Sequence, residues 1–162
     1  MDSTEILIKI RKIVRSINLE SKKIQKTHGV SIPQVLCLSY LNKSENYQAS
    51  QGEIRKFLHL NSSTTSGIIN RLDQKGLVAR LPKLGDKRVV TIALTSKGEK
   101  LLKQIPALLH DQLSEKLQKQ DALTLENISS SLELLVNLLE IDELEASPMI
   151  TIEDHLEGTS VK

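Results

Sequence analysis

Residues 61–94 of this 162-residue chain read NSSTTSGIINRLDQKGLVARLPKLGDKRVVTIAL. The Asn61 side chain can cap a helix that runs to about Lys75, and Gly76 stands where a left-handed C-terminal cap is expected. Two segments with the composition of strands follow this helix, at 77–84 and 89–94. The stretch therefore predicts a helix followed directly by a β-hairpin.

A shorter helix is predicted just before this one. Ser50-Gln51-Gly52-Glu53 has the pattern of a capping box, apolar residues follow at helical spacing up to Leu58, and His59-Leu60 makes the turn into the next helix. Two short helices joined by a tight turn form a helix-turn-helix. Together with a hairpin whose tip is Gly85-Asp86-Lys87, they predict a winged helix with a two-stranded β-wing.

Two further helices are predicted on the amino-terminal side. Apolar residues from 4 to 27 follow the i, i+3, i+4 spacing of an amphipathic helix, which Gly29 ends. Ser31-Ile32-Pro33-Gln34 then reads as a capping box with proline in the first turn. The helix that it opens is apolar almost all round, so we expect it to be buried.

Two more helices are predicted after the hairpin. Thr95 can cap the first of them, and Pro106 must kink or interrupt it because proline lacks a backbone donor. The last helix is expected near 124–140. The predicted fold class is therefore mainly α, a winged helix-turn-helix with N- and C-terminal helices that form a dimerisation region.

The outer helices carry more leucine and isoleucine than a small winged-helix core can cover. A second copy of the chain is the economical partner, because two-fold homodimers are the commonest oligomers. The alternative is a monomer in which these helices cover one another. The predicted organisation is a winged-helix DNA-binding domain at 31–94, dimerisation helices at 1–30 and 95–141, and an acidic, extended or disordered tail at 142–162.

The net charge of +2 hides an asymmetry. Residues 50–100 contain ten basic and four acidic side chains, whereas the tail after residue 141 has six acids and one lysine. A cationic body favours a polyanionic partner, although surface cations are often only solvated. With three aromatic residues and no tryptophan, the chain is poorly equipped to stack exposed bases, so double-stranded rather than single-stranded nucleic acid is expected.

Composition also limits location and chemistry. The single cysteine, Cys37, excludes an intrachain disulfide and a cysteine-rich zinc site, and it fits a reducing cytoplasm. No apolar run approaches the roughly 20 residues that span a bilayer, and no signal peptide is recognisable, so no membrane partner is expected. Histidines lack metal-ligand spacing and no catalytic motif appears, so we expect neither metal, cofactor nor enzymatic activity.

The helix predicted at 61–75 has two unlike faces. At 100° per residue, an apolar side that should be buried (Thr65, Ile68, Ile69 and Leu72) opposes a side of small or hydrogen-bonding residues. Such residues suit the base edges of the major groove, and Gly67 would allow close approach to the duplex. An ordinary polar helix face is the alternative interpretation. The candidate DNA-binding residues of this helix are Ser62, Ser63, Thr64, Ser66, Gly67, Asn70 and Arg71, of which Thr64 and Arg71 flank the row, where phosphates would lie.

The hairpin tip concentrates cations. Lys83, Lys87 and Arg88 lie within six residues, and an arginine inserted into a narrow minor groove is favoured by its negative potential, for which Arg88 is the candidate. Asp86 would oppose DNA as a free charge, so it either pairs with a wing cation or only forms the turn. Weaker candidates for phosphate contacts are Arg55, Lys56, Lys75 and Arg80.

These motifs resemble the MarR family over residues 1 to about 140. The sharpest match is Asp86-Lys87-Arg88 followed by Leu94-Thr95-Ser96-Lys97-Gly98, similar to the family's D-x-R…L-T-x-x-G pattern, and residues 60–72 are similar to its recognition helix. The resemblance implies that the wing enters the minor groove and that Ser63, Thr64, Ser66 and Asn70 face the major groove. It also implies a cleft for a small-molecule effector between the dimer helices and the winged helix.

A narrower resemblance concerns the family branch that represses compatible-solute synthesis genes in salt-adapted bacteria. It rests on 13–22, 29–38 and 105–109, whereas Pro106 and the tail depart from the shorter family pattern. Some members sense oxidants through a cysteine of the first helix, but Cys37 lies in the second, within an apolar run, where an inert buried thiol is the usual state.

The function predicted from the sequence is sequence-specific, double-stranded DNA binding by a homodimeric repressor on a pseudo-palindromic operator. The chief alternative is a winged helix used for protein contact without DNA binding. A ligand-sensing enzyme is a third and weaker alternative, because no catalytic motif supports it.

Overall fold

The computed structural model describes residues 2–82 and 89–143. These residues fall into two compact units, one up to Pro106 and one from Ala107. The elements of the first unit are α1 (Ser3–His28), α2 (Ile32–Lys43), a 3-10 turn (Glu45–Tyr47), β1 (Gln48–Ser50), α3 (Gln51–Leu58), α4 (Ser62–Gln74), β2 (Val78–Pro82), β3 (Val90–Leu94) and α5 (Ser96–Gln104). Those of the second unit are α6 (Leu109–Gln118) and α7 (Ala122–Leu138).

Local side-chain chemistry sets the boundary between α1 and α2. Gly29 adopts a left-handed φ of 69° and its N–H donates to Gln25 O at 2.9 Å, which closes α1. The Ser31 hydroxyl accepts from the N–H of Gln34, and the Gln34 side chain accepts in return from the N–H of Ser31, so the predicted capping box is present. The end of α1 and the start of α2 are therefore both set by hydrogen bonds between residues no more than four positions apart.

The core of the first unit lies around α2. Eight of its twelve residues are buried, which confirms the expectation from its apolar sequence. Leu38 and Leu41 of α2, Ile54 of α3, Ile68 of α4 and Ile92 of β3 are fully inaccessible to solvent. Elements from across the winged helix therefore share one core, and its packing fixes the outward faces of α3 and α4.

The sheet has one more strand than predicted. β2 and β3 pair antiparallel with Val78 opposite Leu94 and Pro82 opposite Val90, as expected for a wing. β1 pairs with the other side of β3, giving the order β1-β3-β2. A three-residue strand has too few positions for an alternating pattern, and its partners on β3 lie about 40 residues further along the chain. No local pattern therefore predicts β1.

Proline interrupts the helix predicted after the wing. α5 ends at Gln104, Ile105 is extended, and α6 begins at Leu109. The residue before a proline avoids the helical region, which accounts for the extended Ile105. α7 begins at Ala122, two residues earlier than expected, because the Asp121 carboxylate accepts from the N–H of Thr124.

Long helices of both units expose apolar side chains. On α1 these include Leu7 and Ile13, and on α7 Leu132 is 53% exposed and Leu138 is 71% exposed. No residue of α7 is buried. Among the described helices, none has both the length and the apolar composition to cross a membrane.

Several predictions concern residues outside the described ranges. The hairpin tip at 83–88 is one, and with it the wing candidates Lys83, Asp86, Lys87 and Arg88. Most of the acidic tail, from residue 144 onward, is the other.

Candidate nucleic-acid interface

α4 begins at a side-chain cap, as predicted. The Asn61 amide oxygen accepts from the N–H of Thr64 at 2.8 Å. Thr65 is fully buried, and its hydroxyl donates to Asn61 O at 2.9 Å. This buried hydroxyl therefore has a hydrogen-bond partner. His59, in the left-handed region with φ 49°, makes the tight turn from α3. The helix is thus fixed at its start independently of any ligand.

The inner face of α4 is the one expected from its periodicity. Thr65, Ile68, Ile69 and Leu72 have no exposed surface. Because the inner face is fixed by the core, rotation of α4 about its axis is restricted. Of the candidate residues, Ser62, Ser63 and Asn70 are exposed, and Thr64, Ser66, Gly67 and Arg71 are half-buried.

Asn70 is not free, contrary to what a simple helix projection suggests. Nη2 of Arg80, on β2, donates to Oδ1 of Asn70. The Arg80 Nε also lies 3.7 Å from Oδ2 of Asp73, one turn after Asn70 on α4. Arg80 therefore joins β2 to α4, whereas the sequence suggested only a phosphate contact for it.

The Lys75 side chain also forms a hydrogen bond within the protein. Its Nζ donates to Gly29 O at the end of α1, and its own carbonyl accepts from Lys97 Nζ at 2.7 Å. A cation at the carbonyl end of a helix is stabilised by the helix dipole. Lys75 is thus a poor candidate for a DNA contact, while Arg55 and Lys56 at the end of α3 are exposed and basic.

The base of the wing explains the Leu94-Thr95-Ser96-Lys97-Gly98 motif. The Thr95 hydroxyl donates to Gly76 O at 2.7 Å and accepts from the N–H of Gly98 at 3.1 Å. A Cβ on Gly98 would lie 2.3 Å from Leu77 O, so only glycine fits there. Threonine and glycine together lock the start of α5 against the end of α4.

Cys37 is fully buried in α2, and burial raises the pKa of its thiol to about 12. Reactivity requires the thiolate and access to solvent, and the folded thiol has neither. This favours the inert alternative over an oxidant sensor. Within residues 2–82 and 89–143, no three His, Cys, Asp or Glu residues cluster as metal ligands.

The raised pKa of Cys37 gives a testable pH dependence. Unfolding returns the thiol to its ordinary pKa near 9, so the unfolded chain loses a proton that the folded chain keeps. The contribution of the neutral thiol to stability is present below about pH 9 and is lost progressively up to about pH 12. Urea midpoints from about pH 8 to 10.5 should therefore fall more steeply for the wild type than for Cys37→Ala, and parallel curves would contradict this assignment.

Comparison with known proteins gives one family. Residues 30–90 match the model of the MarR family. An uncharacterised HTH-type transcriptional regulator of Bacillus subtilis, YsmB, is 29% identical over 96 residues, which cover 59% of this chain and 64% of that protein. The multiple antibiotic resistance protein MarR of Escherichia coli is 35% identical over 78 residues, 46% of this chain and 54% of that protein. The chain thus matches less than two thirds of the length of either relative.

Solved structures share the fold over more of the chain. The S. aureus MepR–DNA complex has a TM-score of 0.59 at 19% identity and covers 86% of this chain and 99% of that one. Sco3205 of Streptomyces coelicolor, a MarR-family regulator in complex with DNA, has a TM-score of 0.60 at 18% identity and covers 88% and 92%. At these identities the likeness establishes the winged-helix fold.

Proposed function

Residues 30–90 of the chain match the model of the MarR family. From this match we propose that the protein is a member of that family and a repressor that binds double-stranded DNA sequence-specifically as a homodimer. The observation that carries the proposal is the outward row of α4, whose small and hydrogen-bonding side chains are held outward by a fully buried inner face. Two structurally similar proteins were solved with DNA, which supports the same assignment.

The outward row has the chemistry for reading base edges. Ser62 and Ser63 lie in the first turn of α4 and are exposed, and Asn70 is exposed two turns further on. Hydroxyls and amides donate and accept hydrogen bonds, which the major-groove edges of base pairs offer in distinct patterns. Thr64 and Arg71 at the sides of the row are placed for phosphates.

The wing is proposed to enter the adjacent minor groove. β2 and β3 form an antiparallel pair, and residues 83–88 lie between these two strands in the sequence. Lys83, Lys87 and Arg88 would supply positive charge there, with Arg88 in the groove and Asp86 orienting one of these cations. These four roles remain predictions, as do the effector cleft and the compatible-solute branch.

The exposed apolar helices support a homodimer. α1 and α7 each leave several large apolar side chains in contact with solvent. Burying them against a second copy would remove this surface from water at about 25 cal/mol per Å². A two-fold dimer would present two α4 helices to successive major grooves, at half-sites about 10 bp apart.

Replacing Leu132 by glutamate should convert the proposed dimer to a monomer. Its side chain is 53% exposed in the single chain, and a buried unpaired carboxylate would oppose association strongly. Sedimentation equilibrium should give a mass of one 18.1 kDa chain for Leu132→Glu and of two for the wild type.

Ser130→Glu is the matched control for this variant. It adds the same charge about 160° away around α7 and should stay dimeric. A wild-type chain that is monomeric at micromolar concentration, or a Leu132→Glu variant as dimeric as the wild type, would remove this part of the proposal.

The DNA-binding proposal is tested by titrating the purified chain against duplexes of its own upstream DNA and of the same DNA scrambled. Tight binding to the first and weak binding to the second is expected, since specific sites are typically about 10³-fold or more tighter than non-specific DNA. Absence of binding to either duplex at low salt would favour the alternative of a winged helix used for protein contact.

A further inference from the structure

The hydrogen bond between Arg80 and Asn70 fixes which way the Asn70 amide faces. An arginine guanidinium has only N–H donors and no acceptor. The atom of Asn70 that meets Arg80 Nη2 must therefore be the carbonyl oxygen Oδ1, as the structure has it. The amide nitrogen Nδ2 keeps its two hydrogens for another partner, whereas one of the two lone pairs of Oδ1 is already used.

Arg80 is itself held in place from two sides. Its stem rises from β2, where Arg80 pairs opposite Ile92, and its Nε lies 3.7 Å from the carboxylate of Asp73. The Arg80 and Asp73 side chains are 33% and 44% exposed, so both remain in contact with solvent. Arg80 thus places a positively charged donor at Oδ1 of Asn70. Asp73, one turn after Asn70 on α4, limits the movement of the Arg80 side chain.

We propose that Arg80 makes Asn70 a reader of guanine rather than adenine, an inference that rests on the proposed DNA binding. A bidentate contact of asparagine with adenine needs Oδ1 to accept from the base N6 amino group, and Nδ2 to donate to N7. Arg80 already uses one of the two lone pairs of Oδ1, and its positive charge opposes the approach of a second donor such as the adenine amino group. Guanine presents two acceptors, N7 and O6, which match the two hydrogens of Nδ2.

In this arrangement Arg80 is a positioning residue, because it acts through Asn70. Its removal should change which base is preferred, whereas removal of a cation that binds phosphate should weaken binding to all sequences alike. This difference separates a specificity role from a merely electrostatic one.

The experiment selects duplexes from a pool randomised over about 20 bp, enough for two half-sites, with the full chain. In the wild type, one position per half-site should favour G·C over A·T by roughly 5- to 150-fold, and Asn70→Ala should abolish the preference at that position alone. Arg80→Met keeps the aliphatic stem but has no donor, so the preference there should fall to within about threefold as adenine becomes acceptable.

Two further variants complete the test. Arg80→Lys still donates to Oδ1 and should keep most of the guanine preference. Arg55→Met removes an exposed cation of α3, a different helix from that of Asn70, so it should weaken binding generally and leave the preference unchanged. Thermal melting of each variant establishes that it is folded.

The outcomes separate this inference from the proposed function. A wild type that retains no duplex at low salt refutes DNA binding itself. A wild type that binds specifically but prefers A·T at the Asn70-dependent position, or shows no such position, overturns the inference whether or not Arg80→Met folds. A guanine preference that survives in folded Arg80→Met overturns it as well.

Discussion

Raising the salt concentration from about 50 to 200 mM should weaken binding to the chain's own upstream duplex by roughly 10³- to 10⁵-fold. The reason is counterion release, because each of about six to ten phosphates contacted by a cation frees a bound ion. Fluorescence anisotropy at four salt concentrations gives the slope of log K against log salt. A slope steeper than about −5 is expected, and a nearly flat dependence would contradict the proposed mode of binding.

Two lysines provide matched variants for this measurement. Lys56, exposed at the end of α3, is available to phosphate, whereas the Lys75 ammonium donates to Gly29 O. Lys56→Ala should therefore reduce the slope by about 0.9, and Lys75→Ala should leave it unchanged. Equal effects of both substitutions would show that the internal contact of Lys75 does not persist in solution.

Gly98→Ala should destabilise the winged helix severely. The added Cβ would lie 2.3 Å from Leu77 O and 2.7 Å from Leu94 Cδ1. The first of these atoms is backbone, and it already accepts from the N–H of Thr95 at 3.2 Å, so it has little room to retreat. We expect a loss of more than about 3 kcal/mol, beyond the usual range for overpacking, and a melting temperature at least about 6 °C lower by circular dichroism.

Gly52→Ala is the control for this substitution. Gly52 lies in α3, and the nearest atom to a Cβ there is Ser50 Oγ at 3.8 Å, an ordinary contact. Alanine in a helix is favoured over glycine by about 0.5 to 1 kcal/mol, so this variant should melt at or above the wild-type temperature. If Gly98→Ala and Gly52→Ala both melt at the wild-type temperature, the backbone around Gly98 can accommodate a Cβ, and the predicted destabilisation is wrong.

Features set by neighbouring residues were predictable from the sequence. The capping boxes at Ser31 and Ser50, the caps at Gly29 and Gly76, and the buried face of α4 all depend on spacings of four residues or fewer and on one helical period. The break at Pro106 follows from the missing N–H of proline. The helix order and the buried face of α4 therefore followed from local patterns.

Contacts between distant positions were not predictable in this way. Asn70 and Arg80 are ten residues apart and each looked like a DNA contact on its own, and only the packing of β2 beside α4 brings them together. Lys75 and Gly29 are separated by 46 positions. Periodicity within one helix or strand does not predict such contacts, because they depend on how different elements pack against each other.

The bonds made by Lys75 and Lys97 have a mechanical consequence. Gly29 is the C-terminal cap of α1, Lys75 is the C-terminal cap of α4, and Lys97 lies in the first turn of α5. The two ammonium groups therefore link the ends of three helices. A tilt of the carboxyl end of α4 would break these two hydrogen bonds unless α1 and α5 moved with it. In the proposed complex, the angle between α4 and the duplex would therefore depend also on contacts at the carboxyl end of α4, the end furthest from its capped first turn.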